Sequence, residues 1–192
     1  MVDGVPSLKA SHFACEIRAL AILGEREHEA RRQLAPIIAE LEMASRVDFV
    51  PVEWDLAVTR VAFAIGGTAA VRAVNQETFR LSAGGPLLRP LFGTALRVFG
   101  VQPSAMLKVV GHSWSAASRN LGTIHIRDVA DGSCTLEHVD LPLVVQQAPY
   151  WAEGQIGLFE GICGFVGHRC TGATVHVPTP SVHRYEFTWQ KA

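Results

Sequence analysis

Tyr150-Trp151-Ala152-Glu153-Gly154-Gln155-Ile156-Gly157-Leu158-Phe159-Glu160-Gly161-Ile162-Cys163-Gly164-Phe165-Val166 is the stretch on which the reading of this chain turns. Its glycines recur at 154, 157, 161 and 164, the spacing of one helical face, and together they occupy roughly 80° of arc. Trp151, Leu158, Phe159, Ile162, Phe165 and Val166 fall on the neighbouring arc. An interior glycine costs about 0.8–1 kcal/mol relative to alanine, so four weaken the helix by roughly 3–4 kcal/mol. Something must approach the backbone closely enough to compensate: a sheet, a second helix or a flat ligand.

The flanking sequence supplies those partners. After this helix, Gly167 suits a left-handed cap. Residues 174–177 and 183–190 then read as strands joined by the Pro178-Thr179-Pro180-Ser181 turn, with Tyr185, Phe187 and Trp189 alternating onto one face. Before it, residues 106–115, 123–129 and 134–140 also read as strands, and Asp131-Gly132 is a hairpin signal between the last two. Ile124 and Ile126 are expected to face inward, His125 and Arg127 outward.

The first hundred residues are helical in pattern. Residues 10–23 are apolar at helical spacing (Phe13, Ile17, Leu20), and 25–44 carry Leu34, Ile37, Ile38 and Leu41 on one side. Pro36 kinks or splits that second helix. After a break at Asp48-Phe49-Val50-Pro51, a helix over 53–66 resumes over 68–81 beyond Gly66-Gly67. Ser82-Ala83-Gly84-Gly85 is a turn. Pro86 suits the first turn of a last helix that stops at Gly100. The expected class is α+β: N-terminal helices and one long C-terminal helix packed on a largely antiparallel sheet of about five strands.

Composition narrows the functional classes. At 192 residues the chain is expected to form a single domain, 1–192. Apolar residues make up 48% and charged ones 18%, which leaves room for an apolar interface or internal pocket. A net charge of -1 without any Lys/Arg block argues against a nucleic-acid partner. The longest apolar run, 61–71, lies between Arg60 and Arg72 and is too short to span a bilayer. The first residues carry no export signal, and the four cysteines form no CxxC pair, so reduced thiols and a cytoplasmic location are expected.

From Phe49 to Trp189 the chain resembles an uncharacterised family found in many copies in myxobacteria. The resemblance lies in Gly66-Gly67, in the helix from Pro86 to Phe99 closing at Gly100, in Ser118-Arg119-Asn120-Leu121-Gly122, in Gly154 to Gly161 and in Tyr185-Glu186-Phe187-Thr188-Trp189. Residues 49–190 are thus a family-like core, and 1–48 a helical segment with little such resemblance. That family is similar in fold to the superfamily of haem–nitric-oxide-binding domains, four-vinyl-reductase sensory domains and transport-particle subunits. The resemblance implies a bacterial signalling domain, a pocket between helices and sheet for an apolar or planar ligand, and frequent dimers.

Candidate sites follow from the residues present. Haem in that superfamily requires a helical proximal histidine and a Tyr-x-Ser-x-Arg clamp. Neither Tyr150 nor Tyr185 begins one, and the helical histidines are His12 and His28. Zinc is a second alternative cofactor: Cys163, His168 and Cys170 bring two thiolates and an imidazole within eight residues. No Gly-x-Ser-x-Gly elbow is present. Glu153 and Glu160 lie two helical turns apart, about 10 Å, too far for paired acid chemistry on a small substrate. A catalytic role is therefore not expected.

The favoured site is an apolar pocket over the glycine face of Gly154, Gly157 and Gly161, walled by Phe63, Phe92, Leu96, Trp114, Phe159 and Trp189, with Gln155 as its polar handle. Two functions fit. One is a non-catalytic sensory or carrier domain for a small apolar or planar molecule. The other is an interaction or dimerisation scaffold whose core is filled by its own side chains, with the helices over 53–66 and 86–99 forming a homodimer.

Overall fold

The structure, a computed structural model, describes residues 4–85 and 89–192. A short strand β1 (Ser7–Lys9) leads into α1 (Ala10–Ala19), a 3-10 segment over Leu20–Arg26, α2 (Glu27–Gln33) and α3 (Ala35–Met43). The 25–44 pattern is split at Leu34, with Pro36 in the first turn of α3, where its missing N–H leaves no hydrogen bond unmade. Strand β2 (Phe49–Pro51) pairs with β1, which also pairs with β3 (Ser118–Arg119), giving a three-stranded sheet. The N-terminal residues are thereby tied to the middle of the chain.

The central element is α4 (Val52–Ala83), interrupted at Gly66-Gly67 as the sequence suggests. Gly67 sits at φ 66°, ψ -158°, a conformation open to glycine but not to a residue with a side chain. By length and composition alone α4 is apolar enough to cross a membrane, because the helix runs on past Arg72, where the apolar run of 61–71 stops. In this fold it packs against α1 and α9. Its first half supplies Val58, Val61 and Ala62 to a core shared with Phe13 and Ile17 of α1 and with Leu20.

One strand expectation fails. Residues 106–115 form no strand: after α5 (Arg89–Phe99) come α6 (Pro103–Leu107) and α7 (Val110–Ala117). The β-branched pair Val109-Val110 suggests a strand, but Pro103 starts a helix in its first turn. Gly111 then lets α7 lie directly on the sheet, since a Cβ there would stand 3.4 Å from the Ile124 carbonyl oxygen. Residues 89–99 are helical and end at Gly100 (φ 92°) as expected; Pro86, proposed to start that helix, lies outside the described residues.

Strands β4 (Thr123–Ala130) and β5 (Ser133–Val139), the short helix α8 (Leu143–Gln146), α9 (Trp151–Phe165), β6 (His168–Thr179) and β7 (Val182–Lys191) complete the chain. The second sheet is wholly antiparallel in the order β4-β5-β7-β6, so the class is α+β, with four strands in the main sheet rather than five. Strand β6 begins at His168, earlier than the expected 174. Cys134 and Leu136 of β5 lie opposite Phe187 and Tyr185 of β7, presenting one apolar face to α9. Phe159 stacks on Phe187 with ring centres 3.6 Å apart.

Helix α9 is thus sandwiched, and its glycine face turns away from the sheet onto the second half of α4. A Cβ at Gly157 would lie 2.8 Å from the Arg72 Cα and 2.9 Å from the Asn75 Cβ; one at Gly161 would lie 2.8 Å from the Phe79 Cβ and 2.9 Å from the Gln76 carbonyl oxygen. At Gly164 the nearest atom is the mobile end of Gln76, at 3.8 Å. Arg72 clamps the edge of the contact, reaching Glu153 at 2.7 Å and Glu160 at 3.5 Å.

This geometry separates glycines of identical sequence context. Gly161→Ala is expected to destabilise the protein by about 1–3 kcal/mol, the range for overpacking. Gly164→Ala has room for its methyl and is expected to gain up to about 1 kcal/mol from helix propensity. Urea unfolding of both variants reads the difference; equal gains would show that α4 does not press on this face.

Candidate functional site

Between the end of α4, α5, α7, α9 and the inner face of the sheet lies an apolar cavity of about 110 Å³. Phe79 from α4, Phe92 from α5, Trp114 from α7, Ile124 and Leu136 from the sheet, and Phe159 with Ile162 from α9 form most of its wall. Four side chains expected at a pocket therefore meet here: Phe92, Trp114, Gln155 and Phe159. The others do not line it. Phe63 stacks on Tyr150 at 3.7 Å elsewhere. Leu96 packs on the outside of the same core, and Trp189 reaches Phe159 without reaching the cavity. Gly154, Gly157 and Gly161 are spent on α4. The pocket is beside the glycine stripe rather than over it, because the stripe is filled by a helix backbone.

The polar groups of the wall are few. Trp114 Nε1 donates to the Gly122 carbonyl at 3.2 Å, and Ser113 Oγ donates to Val109 at 2.9 Å, so both are satisfied within the protein. Gln155 has no side-chain hydrogen bond among the described residues. His12, from α1, closes one end; burial lowers its pKa to about 4 and keeps the imidazole neutral at pH 7. Beside it stands Ser82, whose buried Oγ has no partner. Sequence reading took Ser82 for part of a turn and His12 only as a haem candidate, since nothing local tells that α1 folds over the end of α4.

His12, Ser82 and Ala117 also border a second, larger hollow of about 420 Å³ on the outer side, with Lys9, Cys15, Arg18 and Arg46 around it. A separate cleft of about 520 Å³ runs between the first half of α4 and the loop before α9, bounded by Glu53, Arg60, Tyr150 and Trp151. It does not touch the sheet.

Neither alternative cofactor fits. The cavity is well below the roughly 300–1,000 Å³ of sites for molecules of drug size, and a porphyrin is larger than it can hold. Of the helical histidines, which now include His112 on α7, only His12 borders it; His28 and His112 are exposed. For zinc, no three His, Cys, Asp or Glu among the described residues are placed to hold a metal ion. His168 Nδ1 is bound to the Val166 carbonyl at 2.9 Å. Cys163 and Cys170 act on each other as neighbouring thiols, which raises the Cys163 pKa strongly and lowers that of Cys170, while the Cys170 thiol donates to the Gly172 carbonyl at 3.3 Å.

One buried acidic pair stands apart from the cavity. Glu16 of α1 is fully buried, with no hydrogen-bond partner on either carboxyl oxygen, beside Asp55 of α4. Burial first, and then the Asp55 charge, hold Glu16 well above the ordinary carboxyl range; burial also raises Asp55 to about 6.

The fold has known counterparts. No family model matches the chain, and no curated protein does. Solved structures are similar over nearly the whole length. An Fe(II) unliganded H-NOX protein from K. algicida superposes with a TM-score of 0.66 at 9% identity, covering 96% of this chain and 98% of its own. A Cs H-NOX variant carrying 4-cyano-L-phenylalanine gives 0.64 at 12% identity, over 96% and 97%. A T. tengcongensis H-NOX variant gives 0.63 at 11% identity, over 96% and 98%. The chain has the H-NOX fold; at these identities the likeness extends to the fold alone.

Two outcomes follow from the electrostatics. The folded state holds protons on Glu16 and Asp55 that the unfolded chain releases near pH 4, so their contribution to stability is full below that pH and is lost as pH rises, that of Asp55 through about 6. Relative to the parent, Glu16→Gln is therefore expected to gain stability between pH 5 and pH 8, by on the order of 1–3 kcal/mol; a difference that does not change with pH contradicts the buried pair. Among the thiols, Cys170 is half-buried with a lowered pKa, whereas burial pushes Cys134 up to about 12. Iodoacetamide should alkylate Cys170 well before Cys134 or Cys163, and peptide mapping that finds the reverse order overturns the thiol-pair assignment.

Proposed function

We propose that this chain is a non-catalytic sensory or carrier domain that binds a small, largely apolar molecule between its helices and its sheet. The observation that carries the reading is the cavity bounded by Phe79, Phe92, Trp114 and Phe159, with unpartnered polar groups, Gln155 and Ser82, at its wall. Small-molecule sites have this make-up. The volume sets the scale: an engineered apolar cavity of about 150 Å³ holds benzene, so about one ring or a short chain suits this one. The H-NOX fold supports the reading, because structures of similar fold include an Fe(II) unliganded H-NOX protein and one in which protein-induced porphyrin distortion modulates haem redox potential.

Ligand occupancy would be signalled through α1, α7 and the end of α4, which border the cavity and are joined to the rest of the fold by short connections. Catalysis plays no part. Membership of the myxobacterial family, a cytoplasmic location and a homodimer through the helices over 53–66 and 86–99 belong to the same proposal.

Native mass spectrometry of the purified protein beside its denatured mass, with an absorbance scan, tests it. A small retained mass, or a rise in Tm with benzene or a short-chain probe that the cavity-filling Ile162→Trp variant loses, is the expected result. A Soret band would show instead that the cavity expands to take haem. A bare mass together with an unshifted Tm across such probes would sink the pocket reading in favour of a filled scaffold.

A further inference from the structure

The outer hollow adds a chemical constraint to the ligand. Among the described residues that border it, Lys9, Arg18 and Arg46 are cationic and none is acidic, on a chain whose net charge is -1. Arg18 and Arg46 make no salt bridge among the described residues. Glu77, which lies near enough for Arg18 to act on its carboxylate, is held in a two-point pair by Arg80 at 2.6 Å. Lys9 donates to the Val47 carbonyl at 2.7 Å and lies 4.1 Å over the Phe49 ring, which fixes its ammonium and leaves further N–H groups for an acceptor.

The hollow and the apolar cavity share a wall of His12, Ser82 and Ala117. Ser82 is nine-tenths buried and its Oγ has no partner, although a buried hydroxyl without one costs free energy. Ser82 borders both the cavity and the hollow. His12 is kept neutral by burial and adds a second uncharged polar group without a competing positive charge inside.

We infer that the ligand is a small amphipathic carboxylate, its apolar tail in the cavity behind Phe79 and Phe159 and its anionic head in the hollow between Arg18 and Arg46. This rests on the pocket reading above and deepens it. A cationic rim beside an apolar interior favours a carboxylate head over an uncharged one and disfavours amines by like-charge repulsion. Arginine suits the head because its guanidinium meets a carboxylate with two parallel hydrogen bonds. The site therefore selects charge at one end and size at the other.

Hexanoate, hexanamide and hexylamine share a tail and differ only in the head, so they separate the two parts of the claim. Binding to the intact chain is followed by the fluorescence of Trp114, in the cavity wall, and checked by ligand-observed NMR. Hexanoate should bind about tenfold or more tightly than hexanamide at low salt, and hexylamine least. The exposed pair Arg18→Gln and Arg46→Gln should bring hexanoate down to the affinity of hexanamide; Ser82→Ala should weaken hexanoate without unfolding the chain. If hexanamide binds as well as hexanoate, the anionic head is wrong and the pocket stands. If none of the three binds, the pocket itself is wrong and this inference falls with it.

Discussion

The approach of α9 to the second half of α4 is the contact on which the rest of the structure depends. At Gly157 and Gly161 the two helices come so close that a methyl group would meet backbone atoms of Arg72 and Gln76. Close approach of this kind multiplies dispersion contacts along both helices and compensates for the helix propensity that the glycines forgo. It also determines which way α9 faces. With its glycine side committed to α4, the opposite arc must bury Ile156, Phe159 and Ile162 against the sheet, and Phe159 stacks on Phe187.

That orientation places the cavity. Phe79 and Ser82 of α4 and Gln155, Phe159 and Ile162 of α9 border it, and α7 does not fill the gap completely. The cavity is the consequence of a tight contact on one side of α9 and a looser one on the other. Helix α1 then covers its end and carries His12 and Arg18, while Lys9 of β1 and Arg46 beyond α3 complete the basic border of the outer hollow. Binding chemistry and fold stability are separable in this arrangement, since no residue of the cavity wall is a glycine of the stripe.

Much of the architecture was legible before any coordinates. Gly66-Gly67 breaks α4, Gly100 ends α5, Asp131-Gly132 turns the first hairpin, and Tyr185, Phe187 and Trp189 share a buried face. Each depends on a backbone preference or on strand alternation, both properties of short stretches. The misreading of 106–115 has the opposite origin. Val109-Val110 favours extended backbone locally, but Met106 and Leu107 gain complete burial as part of a helical layer, and burial outweighs propensity.

The site was half legible. Phe92, Trp114, Gln155 and Phe159 were recognisable as apolar wall and polar handle from their types and spacing. Lys9, His12, Arg18, Arg46 and Ser82 were not, because they come together only when β1 pairs with β2 and β3 and draws α1 across the end of α4. Local sequence determined the elements, their breaks and the need for a partner against the glycine face, since those follow from torsional preference and helical spacing. Only the tertiary structure decided that the partner is α4 rather than a ligand, and that a cationic rim meets an apolar cavity. Which faces meet is settled by packing between residues far apart in the chain, and no single stretch contains that information.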